Sequence, residues 1–180
     1  MEQPHGAEGT PAWPAEIFEA LKAHDVRQVA YVPDAGHKEL IELCAATDSP
    51  MEMVPLTTEE EGVALLAGAW LGGQRGVLLM QSSGVGNCVN MFSLIRTCRF
   101  PLLMLVTMRG TRGEFNPWQV PMGEITADVL ELTGHAVFAL DEAGQSGETV
   151  SAAAREAFEG PAAAAVLISQ RLVGIKTFER

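Results

Sequence analysis

A chain of 180 residues is long enough to bury one full core, and a content of 47% hydrophobic and 19% charged residues is that of a globular protein. The net charge of -11 excludes a nucleic-acid partner held through phosphate contacts, because phosphate backbones attract basic surfaces. The low charged share in so apolar a chain points to other subunits covering part of the surface.

The three cysteines, Cys44, Cys88 and Cys98, have no metal-like spacing. Each lies in an apolar helical pattern, so reduced core thiols are expected. The start, MEQPHGAEGTPAWP, lacks the basic-then-apolar order of a signal peptide. No apolar run is long enough to span a bilayer, so a cytoplasmic protein is expected.

In chain order, residues 1–12 are rich in Gly, Pro and Ala and read as a mobile tail. AEIFEALKAH places Ile17, Phe18 and Leu21 on one helix face, and VRQVAYVP reads as a strand stopped by Pro33. Residues 38–46 follow as a helix and MEMVPL as a short strand. A long helix runs from about Thr58 to Leu71, with Thr57 or Thr58 as N-cap and Gly72-Gly73 as its stop. GVLLMQ is an unbroken apolar run, as in a strand buried on both faces. SSGVGN reads as a turn leading into a helix through about Arg96, and PLLMLVTM as another buried strand. RGTRGEFNPWQVP is a long loop. A helix near 124–132, the strand HAVFAL, a helix near 148–158 and the strand AAAAVLIS complete the chain.

This alternation predicts an α/β fold: a doubly wound, mainly parallel sheet of about six strands with helices on both faces, in a single domain over residues 13–180. Such sheets bind ligands at the carboxyl ends of their strands. Those ends carry Asp34 and His37, Thr57 to Glu61, Gln81 to Asn87, and Arg109 to Asn116. The other histidines, His5, His24 and His135, read as tail or surface residues.

Three glutamates open the long helix, and carboxylates there favour the helix dipole with no further role. Gly62 is an unusual choice in a first turn, because glycine weakens helices. Together with Ala64, Ala67, Gly68 and Ala69 it makes a helix bare of bulk, suited to another backbone or a flat ligand lying close.

The run from Glu60 to Trp70, EEGVALLAGAW, resembles the pyrimidine-domain helix of thiamine-diphosphate enzymes such as acetolactate synthase and pyruvate decarboxylase. Ala69 and Trp70 stand where that family has glycine and tyrosine. VAYVPDAG, GVLLMQSSGVGN and FPLLMLVTMRG are similar to the family's first strand and turn, its Ser-Gly-x-Gly segment and its next strand. Within the family the chain resembles the alpha subunits of sulfopyruvate decarboxylase and the phosphonopyruvate decarboxylases. The features that carry this are the E-E-E-G run, the phrase Gln119-Val120-Pro121-Met122-Gly123, and a chain stopping after one domain. The family's Gly-Asp-Gly…Asn signature for diphosphate and magnesium is absent from the sequence.

The resemblance implies a carboxy-lyase subunit that uses thiamine diphosphate, with Mg²⁺ held mainly by a beta subunit in a hetero-oligomer. It implies that Glu60 hydrogen-bonds the cofactor's aminopyrimidine and promotes its activation, with Ser83, Gly84, Gly86 and Asn87 also near the cofactor. A carboxyl in that role works best partly desolvated, while Glu59 and Glu61 are expected to be solvated or paired. The substrate candidates are Asp34, His37, Arg109 and Arg112, the arginines suiting a sulfonate or phosphonate. An ordinary turn at Asp34 and solvated loop arginines remain open. The expected reaction is sulfopyruvate to sulfoacetaldehyde and CO₂, with phosphonopyruvate or another 2-oxo acid as alternative. A flavodoxin-like binding or scaffold subunit without chemistry is the reading from another class.

Overall fold

The computed structural model describes residues 12–174, so of the predicted tail at 1–12 only Ala12 is described, as the first residue of a helix, and residues 1–11, with His5, lie outside the described residues. The elements are α1 (Ala12–Ala23), β1 (Val26–Tyr31), α2 (Lys38–Cys44), β2 (Glu52–Pro55), α3 (Glu59–Leu71), β3 (Arg75–Gln81), α4 (Ser82–Cys88), α5 (Ser93–Cys98), β4 (Leu102–Thr107), α6 (Val120–Leu132), β5 (His135–Leu140), α7 (Ser146–Glu159), β6 (Ala163–Ile168) and α8 (Gln170–Val173). A short 3-10 turn, Pro117–Gln119, leads into α6. The strands form one six-stranded sheet in the order β2-β1-β3-β4-β6-β5, and every pairing is parallel.

The apolar runs become the central strands because both of their faces are covered. Val77 and Leu79 point into a core with α1, α2 and α7, while Leu78 and Met80 point into a second core with α3 to α6. β4 and β6 are buried at every position. Gly62 finds its reason here: a Cβ on it would lie 2.5 Å from Leu78 Cδ1 and 2.9 Å from Leu56 Cδ1, so α3 settles directly onto β3.

Several local expectations are corrected. The segment SSGVGN is not a turn before a helix; α4 starts at Ser82, directly after β3. The expected single helix through Arg96 is broken into α4 and α5. α6 begins at Val120, four residues before Glu124, with Pro121 in its first turn where the missing N–H is harmless. α8 has no counterpart in the sequence reading. Cys44 and Cys88 are buried thiols, whereas Cys98 is exposed at the end of α5.

His135 is no surface residue. It is 5% exposed, stacks edge-on against Phe92 with ring centroids 4.5 Å apart, and lies 3.1 Å from the Thr133 hydroxyl. Burial lowers its pKa to about 4, so the ring is neutral at physiological pH. Among the described residues, no helix is long and apolar enough to cross a membrane.

Candidate active site

The strand order reverses at β1, which has β2 on one side and β3 on the other. A crevice opens at such a point along the carboxyl edge. Asp34 follows β1 there, and both of its carboxylate oxygens are engaged. The Gln81 amide donates to Oδ1 at 2.6 Å, and the Thr107 hydroxyl donates to Oδ2 at 2.6 Å. One side chain thus joins the ends of β1, β3 and β4. Gly36 keeps this knot tight, since a Cβ there would lie 2.8 Å from Asp34 Oδ2 and 2.9 Å from Thr107 Cγ2.

His37 sits beneath the knot and is fully buried. Its Nε2 faces two backbone carbonyls, so it carries the proton and donates to Leu105 O at 3.1 Å and Met80 O at 3.3 Å. Burial is the main influence on the ring and lowers its pKa. In this chain it clamps β3 to β4 and exposes no atom to a ligand.

α3 begins at the end of β2 and presents three glutamates with three different environments. Glu59 is 9% exposed and accepts a 2.8 Å hydrogen bond from Asn87 Nδ2. A Cβ on Gly84 would come within 2.6 Å of that carboxyl group, so α4 crosses α3 at this contact. Glu61 is exposed and accepts from the Thr57 backbone N–H at 3.0 Å. Glu60, between them, accepts a hydrogen bond from the Thr58 hydroxyl. That bond is the main reason its pKa lies below the usual carboxylate value. Glu60 is half-buried, and the desolvation expected for it is too slight to offset that hydrogen bond.

The rest of the Glu60 face is more open. Ala64, Gly68 and Leu71 follow it along the helix at near-four-residue intervals and are exposed; Leu71 is 86% exposed. Among the described residues, a Cβ on Gly68 would meet nothing within 4 Å. The small residues therefore serve two ends: Gly62 faces the sheet, and Ala64 and Gly68 lie beside Glu60 on an uncovered stripe. Ser83 is half-buried, Gly84 is buried against Glu59, and Gly86 and Asn87 are exposed.

Beyond β4 the loop is held by charge. The Arg109 guanidinium donates through Nε and Nη2 to the two oxygens of Glu114, both at 2.7 Å. The pair is nearly closed to water, at 11% and 3% side-chain exposure. Glu114 also accepts from the N–H groups of Gly110 and Asn116 and from the Gln170 amide. Arg109 therefore has its fork occupied, and the loop, not a ligand, is what it binds here. The phrase Gln119–Gly123 has a packing reason: a Cβ on Gly123 would lie 2.2 Å from Arg109 O, so α6 meets the loop backbone to backbone. Gly110, at φ +76°, would bring a Cβ within 2.1 Å of Gln119 O. Arg112 is exposed.

Sequence reasoning placed Gln81 and Glu114 at strand ends without giving them a role, and missed Thr107 and Gln170. Only position at a strand end could have signalled the last two.

Residues 15–129 match the family described as thiamine pyrophosphate enzyme, N-terminal TPP binding domain. The chain is 38% identical over 117 residues to the sulfopyruvate decarboxylase subunit alpha of Methanothermobacter thermautotrophicus, covering 64% of this chain and 70% of that one. The same subunit of Methanocaldococcus jannaschii is 37% identical over 117 residues, covering 64% and 69%. The phosphonopyruvate decarboxylase of Streptomyces viridochromogenes is 38% identical over 120 residues, or 66% of this chain but 30% of that longer protein. The fold is also that of part of the 2-oxoglutarate:ferredoxin oxidoreductase from Magnetococcus marinus, with TM-score 0.71 and 12% identity over 89% of this chain and 29% of that one. By its sequence match, the chain belongs to the thiamine pyrophosphate enzymes, as their N-terminal TPP binding domain.

Proposed function

We propose that this chain is the pyrimidine-binding subunit of a thiamine-diphosphate-dependent 2-oxo-acid decarboxylase in the cytoplasm, converting sulfopyruvate to sulfoacetaldehyde and CO₂. The observation that carries the reading is the half-buried Glu60 carboxyl beside the exposed Ala64 and Gly68, in a chain 38% identical to a sulfopyruvate decarboxylase alpha subunit. A flat heteroaromatic ring fits against such a stripe, because no described residue fills the space beside Gly68. The phosphonopyruvate alternative has support of its own in the 38% identity to that enzyme. A scaffold without chemistry gives no reason for a glutamate beside an exposed small-residue face.

When bound, thiamine diphosphate supplies the thiazolium that stores the electron pair left by loss of CO₂. Glu60 would hold the proton shared with the aminopyrimidine ring nitrogen. Thr58, by donating to the carboxyl, favours its ionised form. A partner surface laid over α3 would desolvate the group and raise its pKa toward the working range, which this chain alone does not do. Ser83, Gly84, Gly86 and Asn87 would shape the floor of the cofactor site at the start of α4, with Asn87 fixing Glu59 out of the way. Asp34, held by Gln81 and Thr107, is the group of the first loop best placed to face substrate. Magnesium and the diphosphate would be held by a beta subunit, since the Gly-Asp-Gly…Asn signature is absent here.

A substrate panel tests the proposal. Co-purified alpha and beta chains with thiamine diphosphate and Mg²⁺ should release CO₂ from sulfopyruvate faster than from phosphonopyruvate or pyruvate. Preference for phosphonopyruvate would move the assignment to the alternative, and no CO₂ from any 2-oxo acid would remove it.

A further inference from the structure

Two arginines at the carboxyl edge of β4 and β6 are left without a carboxylate. Arg112 and Arg171 line one cleft of about 520 Å³ together with Gln170 and Gly174. Neither guanidinium forms an ion pair among the described residues, which is equally true of Arg75, Arg96, Arg99 and Arg155; what sets these two apart is that they line the same cleft.

Their backbones are fixed by a single buried side chain. Gln170 is 4% exposed, and its amide oxygen accepts from Thr111 N and Thr111 Oγ1 at 3.2 Å and from Arg112 N at 3.1 Å. Its amide nitrogen donates to Glu114 Oε2 at 3.0 Å, which ties it to the Arg109–Glu114 pair. Arg171 is the next residue along the chain. Both arginines thus rise from backbone that the Gln170–Glu114 network holds, on the same sheet edge as Asp34 and Glu60. α8 reaches toward the first loop, since a Cβ on Gly36 would lie 2.9 Å from Val173 Cγ1.

We propose that Arg112 and Arg171 form the subsite for the second anionic group of the substrate, a sulfonate or phosphonate. The inference rests on the decarboxylase reading above and adds the residues that select a dianion. A guanidinium fork matches the oxygen spacing of either head group, and two forks neutralise a charge that a single exposed lysine would leave hydrated. Arg109, on the same loop, is excluded from this part because its fork is closed on Glu114. Pyruvate has no group to place in the cleft, so these arginines discriminate without touching the reacting carbon.

The test uses the co-purified complex carrying Arg112→Gln, Arg171→Gln or both. KM for sulfopyruvate and phosphonopyruvate should rise at least about tenfold in the double variant, with kcat/KM for pyruvate unchanged. Which of the two dianions has the lower KM in wild type identifies the head group. Calorimetric binding of the unreactive dianion 3-sulfopropionate to the same complexes should weaken by a similar factor. Equal losses on pyruvate, unchanged KM, or a wild-type complex that does not bind 3-sulfopropionate would overturn the subsite. If 3-sulfopropionate binds in an arginine-dependent way while no 2-oxo acid is decarboxylated, the subsite stands and the decarboxylase reading falls.

Discussion

Replacing Glu60 with Gln should lower the rate of CO₂ release by about 10²–10⁴-fold while leaving the assembled complex intact. The substitution keeps the shape of the side chain and an oxygen that can accept from the Thr58 hydroxyl. It removes only the ability to hold and release a proton. Glu60 is only half-buried and the new side chain has the same shape, so little packing is lost. Size-exclusion elution and thermal midpoint should therefore match wild type. The same change at Glu61, which is exposed and bound to the Thr57 N–H, should leave turnover near normal. Near-normal turnover in the Glu60 variant would refute the role assigned to it.

The second large effect is on stability. Glu114→Ala should destabilise the fold by about 3–5 kcal/mol, because it strands the Arg109 guanidinium in a site nearly closed to water. It also removes the acceptor for the N–H groups of Gly110 and Asn116 and for the Gln170 amide. Denaturant unfolding of the variant checks the loss. The double change Arg109→Met with Glu114→Leu should recover part of it, because no unpaired charge is then left buried.

The pair also sets a pH dependence. Hydrogen bonds from Arg109 lower the Glu114 pKa from 4.5 to about 2 in the folded chain. A carboxyl with a depressed folded pKa stabilises fully above its unfolded value and loses that contribution as pH falls through the folded one. About 3 kcal/mol should thus disappear as pH falls from 4.5 to 2, and be missing from that window in Glu114→Ala. Denaturant midpoints at pH 6 and pH 3 for both proteins would show it.

What could be read in the sequence follows from how local each signal is. GVLLMQ, PLLMLVTM and AAAAVLIS announced β3, β4 and β6, because strands covered on both faces need an unbroken apolar run. α4 was misread because Gly84 and Gly86 look like turn residues; Gly84 is there so that α4 can lie against Glu59. His135 was misread because its partners, Phe92 and the residues around β5, come together only in the tertiary fold. Cys98 shares the apolar pattern of a core residue yet is the last residue of α5, where it is exposed.

The candidate site divides in the same way. Glu60 stood out through the small residues at fixed intervals behind it, a pattern carried on one helix. Asp34 was legible as a strand-end carboxylate, but its partners Gln81 and Thr107 are 47 and 73 residues away. No local pattern links them. Arg109 looked like a ligand arginine from its place in the loop, and only the geometry reveals Glu114 closing its fork, with Gln170 joining from 56 residues further on.

On the function proposed above, this chain supplies half of a shared cofactor site, with Glu60 on the face of α3 that a partner would cover. Calorimetric titration of thiamine diphosphate with Mg²⁺ into this chain alone, into the beta chain alone and into the co-purified complex tests that sharing most directly. Tight binding is expected from the complex and none of comparable strength from this chain alone, with affinity in the complex reduced by Glu60→Gln. Tight binding by this chain alone, or binding by the complex that is indifferent to Glu60, would contradict the shared site.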